Sequence, residues 1–180
     1  MRKIILDLAV TLDGFIEGAN GEIDWCIMDD DMDFNGFLAG IDTIFYGRVS
    51  YDRWGQYEPG NKAPLTERNI WQAIHSKDKY VFSRTRKEDN KAIYINSDIT
   101  GKINEIKSKP GKNIWLYGGA NLITTFIDWG LIDEYRLAIH PVILGKGKPI
   151  FANIANKVSL KLKQAIAYKS GVTVLCYEQA

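Results

Sequence analysis

Cysteine is scarce in this chain: Cys26 and Cys176, far apart and each inside an apolar pattern, are the only two. That excludes a disulfide framework and leaves ordinary buried or half-buried thiols. Histidine is equally scarce, at His75 and His140, and no cysteines are paired at ligand spacing, so no zinc site is expected and a metal would have to be held by carboxylates. The His-x-Glu and Pro-Cys-x-x-Cys pattern of zinc deaminases is missing as well. Neither sign of charge predominates. Lys and Arg total 23 against 22 Asp and Glu, a net charge of +1, which removes the broad basic field that non-specific nucleic-acid binding uses. No apolar run approaches membrane-spanning length, and Asp7 and Asp13 interrupt the opening apolar segment where a targeting signal would lie. A soluble, cytoplasmic protein without a membrane or nucleic-acid partner is expected.

What is present suits one globular domain over residues 1–180, with 46% hydrophobic residues to build a core. Strands are predicted at Ile4 to Leu12, Ile41 to Tyr46, Tyr80 to Phe82 and Ala92 to Ile95. Helical spacing runs through Phe34, Phe37 and Leu38, around Tyr51 and Trp54, through Ile70, Trp71 and Ile74, and through Ile103 and Ile106 before Pro110-Gly111. This alternation favours a sheet with right-handed crossovers. The last third differs: Tyr135 to Ile143 alternates with period two, and Leu160 to Lys163 and Val172 to Cys176 are further strands separated by Ser170-Gly171. The fold class is therefore α/β, a mixed sheet that is mainly parallel with an antiparallel C-terminal end and flanked by helices.

The most informative stretch is Ile114 to Ile123, where an apolar run breaks at Gly118-Gly119 and restarts with helical spacing at Leu122, Ile123, Phe126 and Ile127. Two missing Cβ atoms at a strand-to-helix turn let an anionic ligand reach backbone N–H groups, so a phosphate or pyrophosphate is the natural guest. Taken alone, such a pair is more often a structural turn. Gly145-Lys146-Gly147-Lys148 can also be read as a phosphate loop, but a hairpin connection is the stronger reading.

Several segments agree in order and spacing: Leu8 to Ile16, Gly47-Arg48-Val49-Ser50-Tyr51, Val81 to Thr85, the Gly-Gly turn, Gly130 to Glu134 and His140 to Gly147. Together they resemble the dihydrofolate-reductase-like superfamily, nearest the branch holding the reductase domain of bacterial riboflavin biosynthesis and its stand-alone relatives. The resemblance runs nearly end to end and implies an NADPH-dependent reductase. By position, Gly47, Arg48 and Ser50 match the segment that holds the cofactor pyrophosphate, and Gly118, Gly119, Ala120, Asn121 and Leu122 match the second phosphate-side turn. Ser83 and Arg84 match the strand end that meets the adenosine 2′-phosphate. A hydroxyl and a guanidinium suit a phosphomonoester, with Arg86 and Lys87 nearby, although a solvated basic loop has the same composition. Ala9 and Ile16 match positions lining the nicotinamide, and Trp25 the mouth of the substrate cleft.

Hydride transfer also needs a proton for the neighbouring nitrogen or oxygen. In dihydrofolate reductases an acid of the first helix assists, and Asp30, Asp31 or Asp33 falls in that region, where helix capping is the competing role. The substrate implied is a small heterocycle or a ribosyl-phosphate-linked pyrimidine, as in the 5-amino-6-(5-phosphoribosylamino)uracil reductase reaction. A true dihydrofolate reductase and a non-catalytic NADPH-binding module are the alternatives. A homodimer is expected, formed by the strands around Tyr135 to Ile143 with the C-terminal strand, because the run Arg136 to His140 carries apolar groups on both faces.

Overall fold

The opening apolar run forms strand β1, Ile4–Thr11, and its near-continuous burial is what a strand covered on both faces requires. The computed structural model describes residues 1–28, 30–85 and 89–180, and the side chain of Asp30 is likewise outside the description. A short strand β2, Phe15–Glu17, follows. After a 3-10 turn at Asp30–Met32 comes helix α1, Phe34–Ala39, capped by the Asp33 carboxylate, which accepts the Gly36 N–H at 3.0 Å. Strand β3, Ile41–Gly47, leads into α2, Arg48–Ser50, which continues as a π-helical turn over Tyr51–Gly55.

Helix α3, Leu65–His75, strand β4, Asp78–Phe82, and strand β5, Ile93–Ile95, come next. They are followed by helix α4, Ile99–Ser108, strand β6, Asn113–Gly118, and helix α5, Ala120–Asp128. The remaining elements are strands: β7, Glu134–His140, β8, Lys148–Pro149, β9, Leu160–Ala167, and β10, Thr173–Gln179. The expected strand to Ile143 stops at His140, because Pro141 has no N–H for the ladder and Val142 N–H turns back to the His140 carbonyl at 2.8 Å.

The chain divides into two compact units. One comprises Met1–Lys3 and Asp33–Gly119. Its strands lie in the order β5-β4-β3-β6, all parallel. Near-continuous apolar runs on β3 and β6 bury Ile44, Phe45, Ile114 and Leu116, as strands covered on both faces require, and α4 adds Ile103 and Ile106 to the core. Phe34 and Phe37 of α1 meet the Trp115 indole edge-on at 5.8 and 5.5 Å. Arg2 is buried in this unit, where its guanidinium donates to the carbonyls of Lys112 and Ile106 and to the side chains of Asp42 and Thr43. Four acceptors make that burial tolerable for a cation.

The other unit comprises Ile4–Met32 and Ala120–Ala180. Here β1 and β7 pair in parallel, whereas β7 with β10 and β10 with β9 are antiparallel. The antiparallel C-terminal end and the mainly parallel remainder are as the sequence predicts. Helix α5 buries Ala120, Ile123, Phe126 and Ile127; of the predicted stripe, Ile123, Phe126 and Ile127 are buried and Leu122 is half-buried. Strands β2 and β8 form a small separate ribbon. No helix among the described residues is long and apolar enough to cross a membrane.

Candidate active site

Parallel pairing sets the carboxyl ends of β4, β3 and β6 level with one another. Gly47 lies opposite Phe82 of β4, and Tyr46 lies opposite Gly118 of β6 after a one-residue irregularity. One step further along each chain stand Arg48, Ser83 and Gly119. The three segments nominated from the sequence for cofactor phosphates thus emerge side by side at one edge, the edge where open parallel sheets bind ligands.

The local geometry of this edge suits an anion. Gly118 and Gly119 have φ of +90° and +32°, backbone that side-chain-bearing residues rarely adopt. A Cβ on Gly119 would stand 2.9 Å from Ser50 Oγ, so the turn comes against the end of α2 only because the side chain is missing. Gly47 begins α2 and, having no side chain, supplies no cap to its first turn. Arg48 is half-exposed and paired with Asp52 at 3.0 Å. Ser83 N–H continues the ladder to the Ile95 carbonyl at 3.1 Å, and its hydroxyl lies 3.3 Å from that of Thr85. Arg84 is exposed beside it, and Arg86 and Lys87 lie outside the described residues. Tyr46, one residue before Gly47, is fully buried with a hydroxyl that finds no partner among the described residues, and burial raises its pKa well above the usual phenol range. The two-glycine cradle and these donors fit a dinucleotide.

In the second unit, Ala9 is half-buried and lies opposite Ala138 of β7. This small-residue pair is framed along the same two strands by Asp7 opposite Arg136 and by Thr11 opposite His140. Ile16, in β2, is half-buried, as is Trp25, whose indole N–H donates to the Glu22 carbonyl at 3.2 Å. The Trp25 ring meets His140 edge-on at 5.3 Å. His140 is buried, with Nδ1 2.9 Å from the Ala138 carbonyl, Nε2 3.2 Å from that of Ile27, and Cys26 Sγ at 3.7 Å. Ala120, Asn121 and Leu122 open α5, with the Asn121 carbonyl accepting the Thr125 hydroxyl at 2.9 Å.

Of the candidate acids, Asp31 is exposed in the 3-10 turn, Asp30 shares that turn with its side chain outside the description, and Asp33 is the cap of α1. A further acid, Asp7, is not among those candidates. Its carboxylate is buried and accepts from Arg136 Nη1 at 2.5 Å, yet burial outweighs that guanidinium and raises its pKa to about 6. The signal was an acid breaking the apolar run Ile4 to Val10, opposite an arginine in the alternating strand. Gly145-Lys146-Gly147 is no phosphate loop: the Asp13 carboxylate already accepts the Leu144 and Gly145 N–H groups, at 3.1 and 2.8 Å.

The chain belongs to the RibD C-terminal domain family, whose model matches residues 2–174. It is 60% identical over 177 residues to the uncharacterized protein YyaP of Bacillus subtilis (strain 168), covering 98% of this chain and 94% of that one. A crystal structure from Shewanella sp. PV-4, provisionally named a riboflavin biosynthesis protein, has a TM-score of 0.81 at 22% identity, covering 100% of this chain and 99% of that chain. The deaminase/5-amino-6-(5-phosphoribosylamino)uracil reductase of Thermotoga maritima gives a TM-score of 0.68 at 15% identity, with 99% and 57% covered. The fold is thus the mixed α/β architecture of these neighbours.

Gly119→Val tests the cradle. The branched side chain is incompatible with the turn's φ and with Ser50 Oγ, so NADPH affinity should fall at least about tenfold, or about 1.4 kcal/mol. Paired thermal melting and NADPH titration check this: a folded variant with undiminished affinity makes the turn structural only.

Proposed function

We propose that this chain is an NADPH-dependent reductase that transfers hydride to a small heterocyclic or ribosyl-phosphate-linked substrate, with the pyrimidine reductase reaction of riboflavin biosynthesis as the leading candidate. The observation that carries the reading is the convergence of Gly47, Ser83 and Gly118-Gly119 at adjacent strand ends, in a chain of the RibD C-terminal domain family. The backbone at Gly118-Gly119 and the start of α2 would hold the pyrophosphate, with Ser50 alongside. Ser83 and Arg84 would hold a 2′-phosphate by charge-assisted contacts, which favours NADPH over NADH. When bound, the nicotinamide supplies the hydride. With no deaminase pattern in the chain, only the reductase half-reaction is proposed, in a cytoplasmic setting.

Asp7 is the proposed proton source. A carboxyl with a pKa of about 6 is half protonated at pH 6 and about a tenth protonated at pH 7, enough to serve as a general acid. Arg136 orients the carboxylate between turnovers. Because the protonated form is the active one, kcat should decline as pH rises through about 6. Asp7→Asn should lower kcat by about 10²-fold or more and remove this limb. The measurement is NADPH oxidation against 5-amino-6-(5-phosphoribosylamino)uracil from pH 5 to 8. No turnover by the wild type at any pH overturns the proposed reaction, and an Asp7→Asn enzyme with wild-type rate and profile removes Asp7 as the acid.

The homodimer is proposed at the antiparallel end. Strand β7 is paired on both edges, so the surface available there is that of β9 rather than the Tyr135 to Ile143 run. Strand β9 is exposed along nearly its whole length, with Leu162 51% exposed. Next to it a groove of about 370 Å³ is lined by Ile127, Tyr135, Phe151, Ile154, Val158 and Leu160. An apolar edge of this kind needs a cover. Light scattering coupled to size exclusion at micromolar concentration should give twice the chain mass of 20.4 kDa, and a single species at the one-chain mass sinks the dimer.

A further inference from the structure

A cavity of about 560 Å³ opens in the unit containing Asp33–Gly119, at the amino ends of β4 and β5. Asp78 and Lys79, the first residues of β4, line it with Ile93, the first of β5, and with His75, Asp89 and Lys91. Lys79 stands four residues before Ser83, which at roughly 3.3 Å per residue puts the cavity about 13 Å along the strand from the proposed cofactor edge.

Lys79 is only 7% exposed. Its ammonium donates to the carbonyls of His75 at 2.9 Å and Lys77 at 3.3 Å, and in doing so caps the end of α3. Among the described residues it has no other partner and no carboxylate at ion-pair distance. Burial and then the charge of Lys91 pull its pKa below the usual lysine value, with Asp78 and Asp89 opposing. An ammonium carries three donors, so one remains for a guest.

The acids around the cavity are differently placed. Asp89 already accepts the Tyr51 hydroxyl at 2.8 Å, the Gln56 amide at 3.2 Å and the Lys91 N–H at 2.7 Å, and so pins the wall in position. Glu58 is 75% exposed, 3.5 Å from His75, and Asp78 is exposed at the strand start. We propose that this cavity is a second binding site, separate from the strand-end cradle, for the oxyanion of a small metabolite, phosphate or carboxylate, seated on Lys79 with Lys91 as the second cation of the lining. The guest adds a countercharge at contact distance for an ammonium that, among the described residues, has no carboxylate at ion-pair distance, while the exposed acids repel polyanions.

Amide NMR titration of the full chain at pH 7 and constant ionic strength tests the site, with inorganic phosphate and acetate as separate arms. Saturable shifts confined to residues 77–79 and 89–93 are expected, and the responding arm identifies the oxyanion. Lys79→Met should weaken binding at least about tenfold. Since Lys79 also caps α3, the exposed Lys91→Ala is the second variant, expected to lose about threefold in affinity at an unchanged melting temperature. No saturable shifts in either arm overturn the proposal, as does unchanged affinity in Lys91→Ala.

Discussion

Parallel register between β3 and its two neighbours is the constraint on which the proposed chemistry rests. Because Gly47 is level with Phe82 and Tyr46 with Gly118, three strands end together, and each hands its next residue to the same edge. A slip of one residue on any of them would turn its side chains to the opposite face and separate Ser83 from the Gly-Gly turn. Ile44, Phe45, Val81, Ile114 and Leu116 are buried in continuous runs along these strands and pack the core in that register, so the core of this unit and its candidate site are one arrangement.

Backbone donors matter here only where nothing internal has claimed them. Two glycine-containing turns invite an anion, and the structure separates them. At Leu144-Gly145 the Asp13 carboxylate is itself the anion, held by the Thr11 hydroxyl as well, and these contacts keep its pKa below the usual carboxylate range. At Gly118-Gly119 the close neighbour is a serine hydroxyl. The same distinction applies to charge. Arg2 is buried among four acceptors and is structural, whereas Asp7 is buried with a cation and still raised to about 6, which leaves it titratable near neutrality.

Much of this was legible in the sequence, because periodicity and punctuation report local structure directly. Most of the α5 stripe, the Gly-Gly break, the antiparallel C-terminal strands and the end of β3 follow from spacing and from where glycine and proline fall, whereas β4 starts at Asp78, two residues before the predicted Tyr80, because Asp78 and Lys79 pair with β3 without adding to the apolar run. Less legible were features made by partners distant in sequence. Asp7 reads as an interruption until β7 brings Arg136 opposite it, and Lys79 reads as a surface lysine until His75 and Lys77 turn their carbonyls toward it. The β2–β8 ribbon was invisible because each strand is too short to show a period. Likewise, β9 is longer than its Leu-Lys alternation suggests, since Gln164 and Ala165 continue the pairing without continuing the pattern.

In the proposed function the strand-end edge holds a dinucleotide with its 2′-phosphate at Ser83 and Arg84. Parallel titrations with NADPH and NADH, followed by quenching of tryptophan fluorescence, test it most directly. NADPH is expected to bind about tenfold or more tighter, equivalent to about 1.5–3 kcal/mol from charge-assisted contacts. Equal affinity for the two cofactors would contradict the role of this edge, and no binding of either would contradict the cradle itself.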